Sequence, residues 1–399
     1  MAISTTQIKT WGIVQWQAQV KHVAPSEGGA VGVMFCWCRN PASDGPDYSR
    51  VGTADFVVKP SPGSAATTKF AEKLMNKTLG AANVNTLPIL RADPRFQAIL
   101  AALGRSKQGV DNELSRNMGP ASKALYDLQA RWNSVWPHYQ SAASLLVQEL
   151  AVGMAEFDKV MHDPRKGLGA LLGNRQLMVN LGKLFAVDAV LGNGDRLCSL
   201  NGGNILFKET SAQIYSVDSQ AILVSYQGLL ALGAITVKEW VQQILDTNAG
   251  VQLAEAPLQV QAPAFSMEKL YDVDHWWRSM FRGHLQNSMQ RHGETPPGEA
   301  VWHFALIWFK QGVEEGLRAV DSQLSGLNWL GVKSKFKSYE KRYGASGNLD
   351  WTNFKIRRMY VRMVIADRNK PGTAAQKQQR ALDRVVAYAA RKVGASAIM

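Results

Sequence analysis

The stretch Arg175–Phe207, RQLMVNLGKLFAVDAVLGNGDRLCSLNGGNILF, decides how the rest of the chain is interpreted. Its first half has the spacing of a long amphipathic helix, which we expect to end at Gly192-Asn193-Gly194 because glycine favours a turn there. Asp195 follows in that turn, and Asn204 directly precedes the apolar residues of a predicted strand. The sequence therefore predicts one carboxylate and one amide, each at the end of a buried element.

The segments before this stretch predict a small sheet with a helical insertion. Alternating and apolar runs predict three antiparallel strands, with a glycine turn after the first, and later two further short strands. Helical spacing predicts one helix after the third strand and a longer helical insertion with two breaks. The predicted strands are 10–23, 30–38, 54–60, 83–90 and 144–150, and the helical segments are 65–80 and 93–139, the latter with breaks near 104–109 and 117–122.

The segments after this stretch predict a β-hairpin followed by helices. Two short strands with a turn between them are expected at 204–209 and 212–219. From about residue 257 onward the pattern is helical, and its Trp-rich runs are typical of helix-packing faces. Strands followed by helices favour an α+β fold.

The composition limits the class of protein. A chain of 399 residues, 46% of them hydrophobic, can form one large domain or two to three lobes. No membrane span is expected, because no apolar run reaches ~18 residues without a charge. The N-terminus lacks the pattern of a Sec signal peptide, and the three cysteines fit a reducing compartment. We therefore expect a cytoplasmic protein, or one delivered into a host cell by a route without a Sec signal.

The positive charge is concentrated at the C-terminal end. Residues 331–399 contain 16 Lys or Arg and 4 Asp or Glu, a net charge of +12 out of +13 for the whole chain. Such a segment is either a solvated helical surface or a docking face for nucleic acid, anionic lipid or an acidic protein. No nucleic-acid recognition motif accompanies it.

The polar residues at the ends of the predicted elements match the needs of phosphoryl transfer. This reaction needs backbone amides and a cation for the nucleotide phosphates, oxygen ligands for Mg²⁺, and a carboxylate that orients the attacking hydroxyl. The candidates occur along the chain in this order: Ser26, Gly28 and Gly29 in the first turn, Lys59 at the end of the third strand, Glu72 in the next helix, then Asp195, Asn204 and Asp218.

Each candidate has a role that follows from its chemistry. Asp195 would orient the substrate hydroxyl, and Asn204 and Asp218 would hold Mg²⁺ through hard oxygen ligands. Lys59 would neutralise phosphate charge, and Glu72 would hold that lysine.

The motif GNGDRL, followed by NGGNILF and YSVDS, resembles the catalytic core of the actin-fragmin kinase family and, more distantly, that of phosphatidylinositol kinases. The upstream VVKPS and FAEKLMNKTLG resemble the lysine strand and following helix of that family. The resemblance implies a bilobal protein kinase-like fold, the cofactors ATP and Mg²⁺, and a protein Ser or Thr acceptor. It also implies a hinge at 147–150, where backbone groups of two further candidates, Glu149 and Leu150, would meet adenine. The implied divisions are an N-lobe at 1–146, a C-lobe core at 147–256 and a helical, basic region at 257–399.

Other functions remain open at this point. The same fold could use a lipid or small-molecule acceptor, or transfer AMP in place of phosphate. A kinase-like module without activity could instead bind a partner through its basic helices, with Lys355, Arg357, Arg358 and Arg362 carrying the binding. The resemblance makes actin a candidate acidic substrate, and a bacterial effector acting on a host protein would suit such a chain.

Overall fold

The structure is a computed structural model, and its chain divides into two units. Unit 1 comprises Met1–Ala65, Val84–Gly153 and Tyr343–Ala345, and unit 2 comprises Ala66–Asn83, Met154–Arg342 and Ser346–Met399. The described residues are 3–26, 32–38, 54–61, 65–79, 85–116, 123–150, 155–163, 165, 167–194, 196–200, 202–208, 212–216, 230, 233–245, 266–343 and 351–396.

Unit 1 contains a five-stranded antiparallel sheet and four helices among its described residues. The strands lie in the order β1-β2-β3-β5-β4, so that β5 is inserted between β3 and β4. The elements are α1 (Thr5–Lys9), α2 (Ile13–Gln19), β1 (His22–Pro25), β2 (Met34–Trp37), β3 (Phe56–Pro60), β4 (Thr86–Leu90), α4 (Pro94–Arg116), α5 (Lys123–Ser141) and β5 (Ser144–Glu149).

One face of this sheet carries the main core of unit 1. Apolar residues at alternating positions of the strands pack there against residues of α2, α4 and α5. These strand residues include Val23, Cys36, Phe56 and Val58. The buried Tyr139 hydroxyl donates a hydrogen bond to the carbonyl of Val58 (2.6 Å), which fixes α5 to β3. The second and third strands of the predicted meander are confirmed as β2 and β3, and the predicted strands at 83–90 and 144–150 are confirmed as β4 and β5.

The prediction of one strand over residues 10–23 is wrong. The segment forms helix α2 and only then enters β1 at His22. Trp16 and Val20 are both buried, and their spacing of four residues puts them on one helical face. Val14, which alternation would place with Trp16, is 71% exposed. Packing of α2 against α4 and of Trp16 against Phe56 therefore overrides the alternating pattern.

The helical insertion is confirmed, with one correction. Helix α4 runs without interruption through 104–109, where the glycines predicted a break. Its apolar residues keep helical spacing on both sides of Gly104 and Gly109, from Ala102 and Leu103 to Val110 and Leu114. The second predicted break, at 117–122, lies outside the described residues.

Unit 2 is mostly helical and contains a second, three-stranded antiparallel sheet in the order β6-β7-β8. Its described elements are α3 (Ala65–Leu79), β6 (Ala155–Glu156), α6 (Phe157–His162), α7 (Leu168–Gly173), α8 (Arg175–Leu191), β7 (Ile205–Lys208), β8 (Gln213–Ser216), α9 (Val237–Leu245), α10 (Val273–Trp276), a π-helical stretch (Trp277–Arg282), α11 (Gly283–Arg291), α12 (Glu299–Gln323), α13 (Gly326–Tyr343), α14 (Trp351–Asp367) and α15 (Ala374–Ser396). The predicted helix at 65–80 and hairpin at 204–219 are confirmed as α3 and β7-β8.

Helix α8 lies in the centre of unit 2. The predicted helix is confirmed. Its predicted amphipathic pattern holds only over its first half, where Arg175 and Gln176 are exposed and Asn180 and Lys183 are half-buried. From Leu184 to Leu191, residues on all sides of the helix are buried. It crosses α12 at a very short distance: an added Cβ at Gly312 would lie 2.0 Å from the carbonyl oxygen of Val179. Gly182 and Gly316 are equally confined at the same crossing. These glycines let the two backbones approach more closely than any side chain would allow.

The predicted helical region after residue 257 is confirmed where the structure describes it, and it forms part of the core of unit 2. Trp276, Trp277 and Trp302 are buried, and Trp276 packs against Phe185 of α8 with ring centroids 4.6 Å apart. Phe70 of α3 contacts Phe336 of α13 and Phe354 of α14. The C-terminal helices therefore support both α3 and α8. Within the described part of the chain, no helix is long and apolar enough to cross a bilayer.

Candidate functional site

Lys59 lies on the sheet face opposite the main core of unit 1. Val58 points into that core, and side chains alternate along a strand, so Lys59 and Val57 point to the other face. Lys59 stands opposite Leu146 and Val57 opposite Gln148 in the register of β3 and β5. The lysine is only 3% exposed.

The same face carries a small apolar cluster near the predicted hinge. Ala24 of β1, Trp37 of β2 and Ala54 form the cluster, and the half-buried Leu150 packs against it. Ala24, Trp37 and Ala54 are almost fully buried. Lys59 and Leu150, which are far apart in the sequence, are therefore brought to one face of one sheet.

Ser26 closes the end of the β1–β2 ladder. Its amide donates to the carbonyl of Val33 (2.7 Å), and its hydroxyl accepts a hydrogen bond from the amide of Val33 (3.2 Å). These bonds continue the register in which Pro25 opposes Met34. Gly28 and Gly29, predicted to close over phosphates, lie outside the described residues.

The side chain of Glu149 anchors the N-terminus of α1. Its Oε1 accepts hydrogen bonds from the amide (2.7 Å) and hydroxyl (2.9 Å) of Thr5, where a carboxylate is favoured by the helix dipole. Its amide donates to the carbonyl of Asn85 (3.3 Å). Both groups of Glu149 thus serve the architecture of unit 1, and adenine contact through the hinge stays a prediction.

In unit 2, α8 ends where the decisive stretch predicted. Gly192 has a φ of 74°, the left-handed conformation that glycine adopts most easily, and its amide donates to the carbonyl of Asp188. The amide of Asn193 also donates to this carbonyl (3.0 Å). Ser199 donates from its amide to the carbonyl of Gly194 (3.1 Å), so the turn folds back on itself.

A buried ion pair fixes this turn from inside. Arg196 is fully buried and binds Asp188 with two hydrogen bonds, one from Nε to Oδ2 (2.9 Å) and one from Nη2 to Oδ1. The bidentate geometry holds Arg196 against the last turns of α8. Asp188 therefore buttresses the loop, as its position seven residues before Asp195 suggested. Asp195 itself lies outside the described residues.

Met75 joins three segments of unit 2. Its Sδ accepts a hydrogen bond from Arg196 Nη2 (3.8 Å) and another from the hydroxyl of Ser216 (3.1 Å). Met75 is one turn after Glu72 on α3, Arg196 directly follows Asp195, and Ser216 is two residues before Asp218. Residues close in sequence to the predicted site residues Glu72, Asp195 and Asp218 therefore meet at the buried sulfur atom of Met75. Asp218 lies outside the described residues.

Asn204 ends a 3₁₀ turn, Gly202–Asn204, that leads directly into β7, and it is half-buried. An added Cβ at Gly202 would lie 2.7 Å from the amide nitrogen of Asp158, so only glycine allows this turn to lie against α6. The predicted position of Asn204 before a strand is confirmed. Its role as a Mg²⁺ ligand stays a prediction.

Glu72 is buried on α3 and pairs with Lys69 (Nζ–Oε2 2.6 Å). The predicted pairing of Glu72 with Lys59 joins residues of different units and stays a prediction. The structure therefore describes two groups separately: Ser26, Lys59 and Leu150 in unit 1, and Glu72, Asn204 and the anchored turn before and after position 195 in unit 2.

Comparison with known proteins gives no family. No protein-family model matches this chain, and no curated protein matches it significantly. The resemblance to actin-fragmin kinases therefore rests on the motifs quoted above, and the assignment of a function rests on geometry and chemistry.

The described residues contain no cluster of three or more His, Cys, Asp or Glu side chains arranged to hold a metal ion. Burial raises the pKa of the Cys36 thiol, and burial together with the Asp55 carboxylate raises that of Cys38 to about 12. Both thiols are therefore protonated at neutral pH. Cys36 is buried in the core of unit 1, and Cys38 packs against that core.

The predicted docking face at the C-terminal end needs a correction. Arg357 is 1% exposed and donates from Nη1 to the carbonyl of Ala189 in α8 (2.7 Å), so it is a structural residue. Arg358 donates to Asp321 (3.2 Å) and Ser325 (2.7 Å). Lys355 and Arg362 are exposed. Counting charges in the sequence could not reveal this difference, because all four side chains are positively charged and differ only in how deeply they are buried.

Proposed function

We propose that the protein is a Mg²⁺- and ATP-dependent phosphotransferase with a bilobal kinase-like fold that phosphorylates a Ser or Thr hydroxyl of a protein. Lys59 would bind nucleotide phosphates, with Glu72 as its partner. Asn204 and Asp218 would hold Mg²⁺, and Asp195 would orient the acceptor hydroxyl. The Mg²⁺ would neutralise phosphate charge during transfer.

The order of elements in the first 80 residues supports this proposal. A lysine on the third strand, followed by a helix with a glutamate, is the arrangement that protein kinases use to bind the nucleotide phosphates. Here Lys59 stands on β3 and the buried Glu72 on α3. Ala24, Trp37 and Leu150, on the lysine-bearing face, are apolar residues of the kind that would contact a planar base.

The anchored turn after α8 is the observation on which the proposal mainly depends. Catalysis of phosphoryl transfer consists largely of positioning, so a carboxylate that orients the acceptor must be held firmly. The buried Asp188–Arg196 pair holds the residue that follows Asp195, and Met75 connects that arginine to Ser216, two residues before Asp218. Charged side chains are almost never fully buried unless they are paired, so this pair constrains where the turn can lie.

Transfer of label from γ-labelled ATP to proteins of a cell lysate tests the proposal. Wild-type protein with Mg²⁺ is expected to label at least one band, and Asp195→Asn and Asp218→Asn are expected to reduce labelling about 10³-fold or more, as loss of a transition-state contact does. The matched control is Asp127→Asn, since Asp127 is exposed on α5. Labelling that survives both substitutions, or a folded wild-type protein that binds no Mg²⁺-ATP, contradicts the proposal.

The same assay distinguishes which group is transferred and which class of acceptor receives it. Label from γ-labelled but not α-labelled ATP indicates phosphate transfer, and the reverse indicates transfer of AMP. Label in the lipid or small-molecule fraction in place of protein assigns a different acceptor to the same chemistry. An acidic protein is the acceptor class that suits the exposed cations on α13 to α15.

A partner-binding module without activity is the second candidate, and the distribution of exposed charge favours it. Lys337, Lys341, Lys355 and Arg362 are exposed on α13 and α14. Binding that weakens with salt and with their neutralisation, but is unchanged in Asp195→Asn, would identify this function.

A further inference from the structure

A cavity of about 330 Å³ lies in unit 2. Its walls are α10 with the residues just before it, the middle of α12, the end of α14 and the start of α15. All of these elements belong to unit 2. The volume is at the lower end of the range typical of small-molecule sites.

The polar wall of this cavity has more cations than carboxylates. Lys310 pairs with Asp274 (2.7 Å), while Arg318 and Arg368 both pair with the single carboxylate of Glu314. Two guanidinium groups offer more donors than one carboxylate can accept.

Lys377 adds a further positive charge to this wall. Its Nζ donates to the carbonyl of Arg368 (3.1 Å), and no carboxylate in the described part of the chain pairs with it. With four cations and two carboxylates lining the cavity, the net charge is +2. An incoming anion would therefore meet donors that the protein itself leaves in excess.

Part of the cavity wall is apolar. Val273, Val313 and Leu317 line the cavity and are each buried. An apolar group placed on this wall would gain by removal of its surface from water. Tyr271 also lines the cavity; burial, with the neighbouring Asp367 carboxylate, raises the pKa of this phenol, which stays neutral.

We propose that this cavity binds a small amphipathic anion, a phosphate monoester or carboxylate joined to a short apolar group. The anionic group would bind Lys377 and the guanidinium of Arg368, and the apolar group would lie on Val313 and Leu317. Charge-assisted hydrogen bonds to guanidinium and ammonium groups give the specificity for an anion. The proposal does not depend on phosphotransfer.

Titration calorimetry on the full chain tests the ligand chemistry with four probes. Phenyl phosphate carries both features, inorganic phosphate only the charge, benzyl alcohol only the apolar ring, and benzylamine the ring with the opposite charge. Phenyl phosphate is expected to bind about tenfold more tightly than each of the other three. Equal or tighter binding of benzylamine, or equal binding of inorganic phosphate and phenyl phosphate, overturns the proposal.

Substitutions assign the binding to this cavity. Lys377→Gln is expected to weaken the binding of phenyl phosphate about tenfold. Lys355→Gln, which removes an exposed lysine from α14, is expected to leave the affinity within about twofold of wild type. Val313→Thr keeps the shape of the side chain but adds a hydroxyl to the apolar wall. This substitution is expected to weaken the binding of phenyl phosphate and to leave the binding of inorganic phosphate unchanged. Phenyl phosphate binding that is insensitive to Lys377→Gln occurs at another site and contradicts the proposal.

The natural anion could be a soluble metabolite or a lipid headgroup, and competition separates them. Vesicles of phosphatidylcholine with phosphatidic acid that displace phenyl phosphate assign the anion to a lipid headgroup. Vesicles that leave phenyl phosphate bound assign it to a soluble ligand. Absence of phenyl phosphate binding at millimolar concentration overturns the proposal for both sources.

Discussion

At the scale of single residues, the turn after α8 depends on one ion pair. Asp188 and Arg196 are both almost fully buried, and each is the other's bidentate partner. Burial of two charges is costly unless they are paired and hydrogen-bonded. The pair therefore specifies where the turn must lie, more than it adds to the free energy of unfolding.

Substitution of either residue alone is therefore expected to destabilise the protein more than substitution of both together. Asp188→Leu is expected to lower the free energy of unfolding by about 3–5 kcal/mol, because it leaves the Arg196 guanidinium buried without its carboxylate. The double substitution Asp188→Leu with Arg196→Met is expected to recover most of that loss. Urea denaturation of both variants measures this. Losses that simply add in the double variant would show that the two side chains do not act as a pair.

At the scale of elements, the backbones of α8 and α12 lie in very close contact where the two helices cross, as the lack of space for a Cβ at the glycines there shows. A Cβ at Gly312 would overlap the backbone of Val179, and the backbone cannot move aside as a flexible side chain can. The helix that leads to the proposed catalytic turn is therefore positioned by a helix of the C-terminal half.

Gly312→Ala is accordingly expected to destabilise the protein by roughly 1–3 kcal/mol or more through overpacking. The matched control is Gly331→Ala on α13, where an added Cβ would meet nothing within 4 Å. There the change is expected to stabilise by about 0.4–1 kcal/mol, because alanine is a better helix former. Thermal or urea unfolding measures both. Equal effects at the two positions would contradict the close crossing.

At the scale of the whole molecule, the basic C-terminal residues divide into structural and exposed cations. Arg357 reaches across unit 2 to the carbonyl of Ala189, whereas Lys337, Lys341 and Lys355 are exposed. The net charge of the segment alone therefore does not define a docking surface.

Arg357→Gln is expected to lower the free energy of unfolding by about 1.5–3 kcal/mol, as loss of a buried charged hydrogen bond does. The triple variant Lys337→Gln, Lys341→Gln and Lys355→Gln is expected to stay within about 0.5 kcal/mol of wild type. Chemical denaturation compares the two. A triple variant as unstable as Arg357→Gln would mean that the exposed cations also hold the fold together.

The elements that the sequence predicted well are those whose local pattern is strong. Strand β3, helices α3 and α8, and the hairpin β7-β8 have clear periodicity, and glycines mark the end of α8. The site is less predictable. The order of residues along the chain suggested Lys59, Glu72 and Asn204, but nothing in that order indicates that Arg196 pairs with Asp188 or that Met75 lies between Arg196 and Ser216.

The sequence by itself determined the strands and helices, the end of α8 at Gly192, and the concentration of positive charge after residue 331, because these depend on neighbours along the chain. The tertiary structure alone decided that residues 13–19 form a helix, that the second half of α8 is buried on all sides, and that Arg357 is structural. The reason is physical: burial and close packing depend on residues that are distant in sequence, and a local pattern carries no information about them.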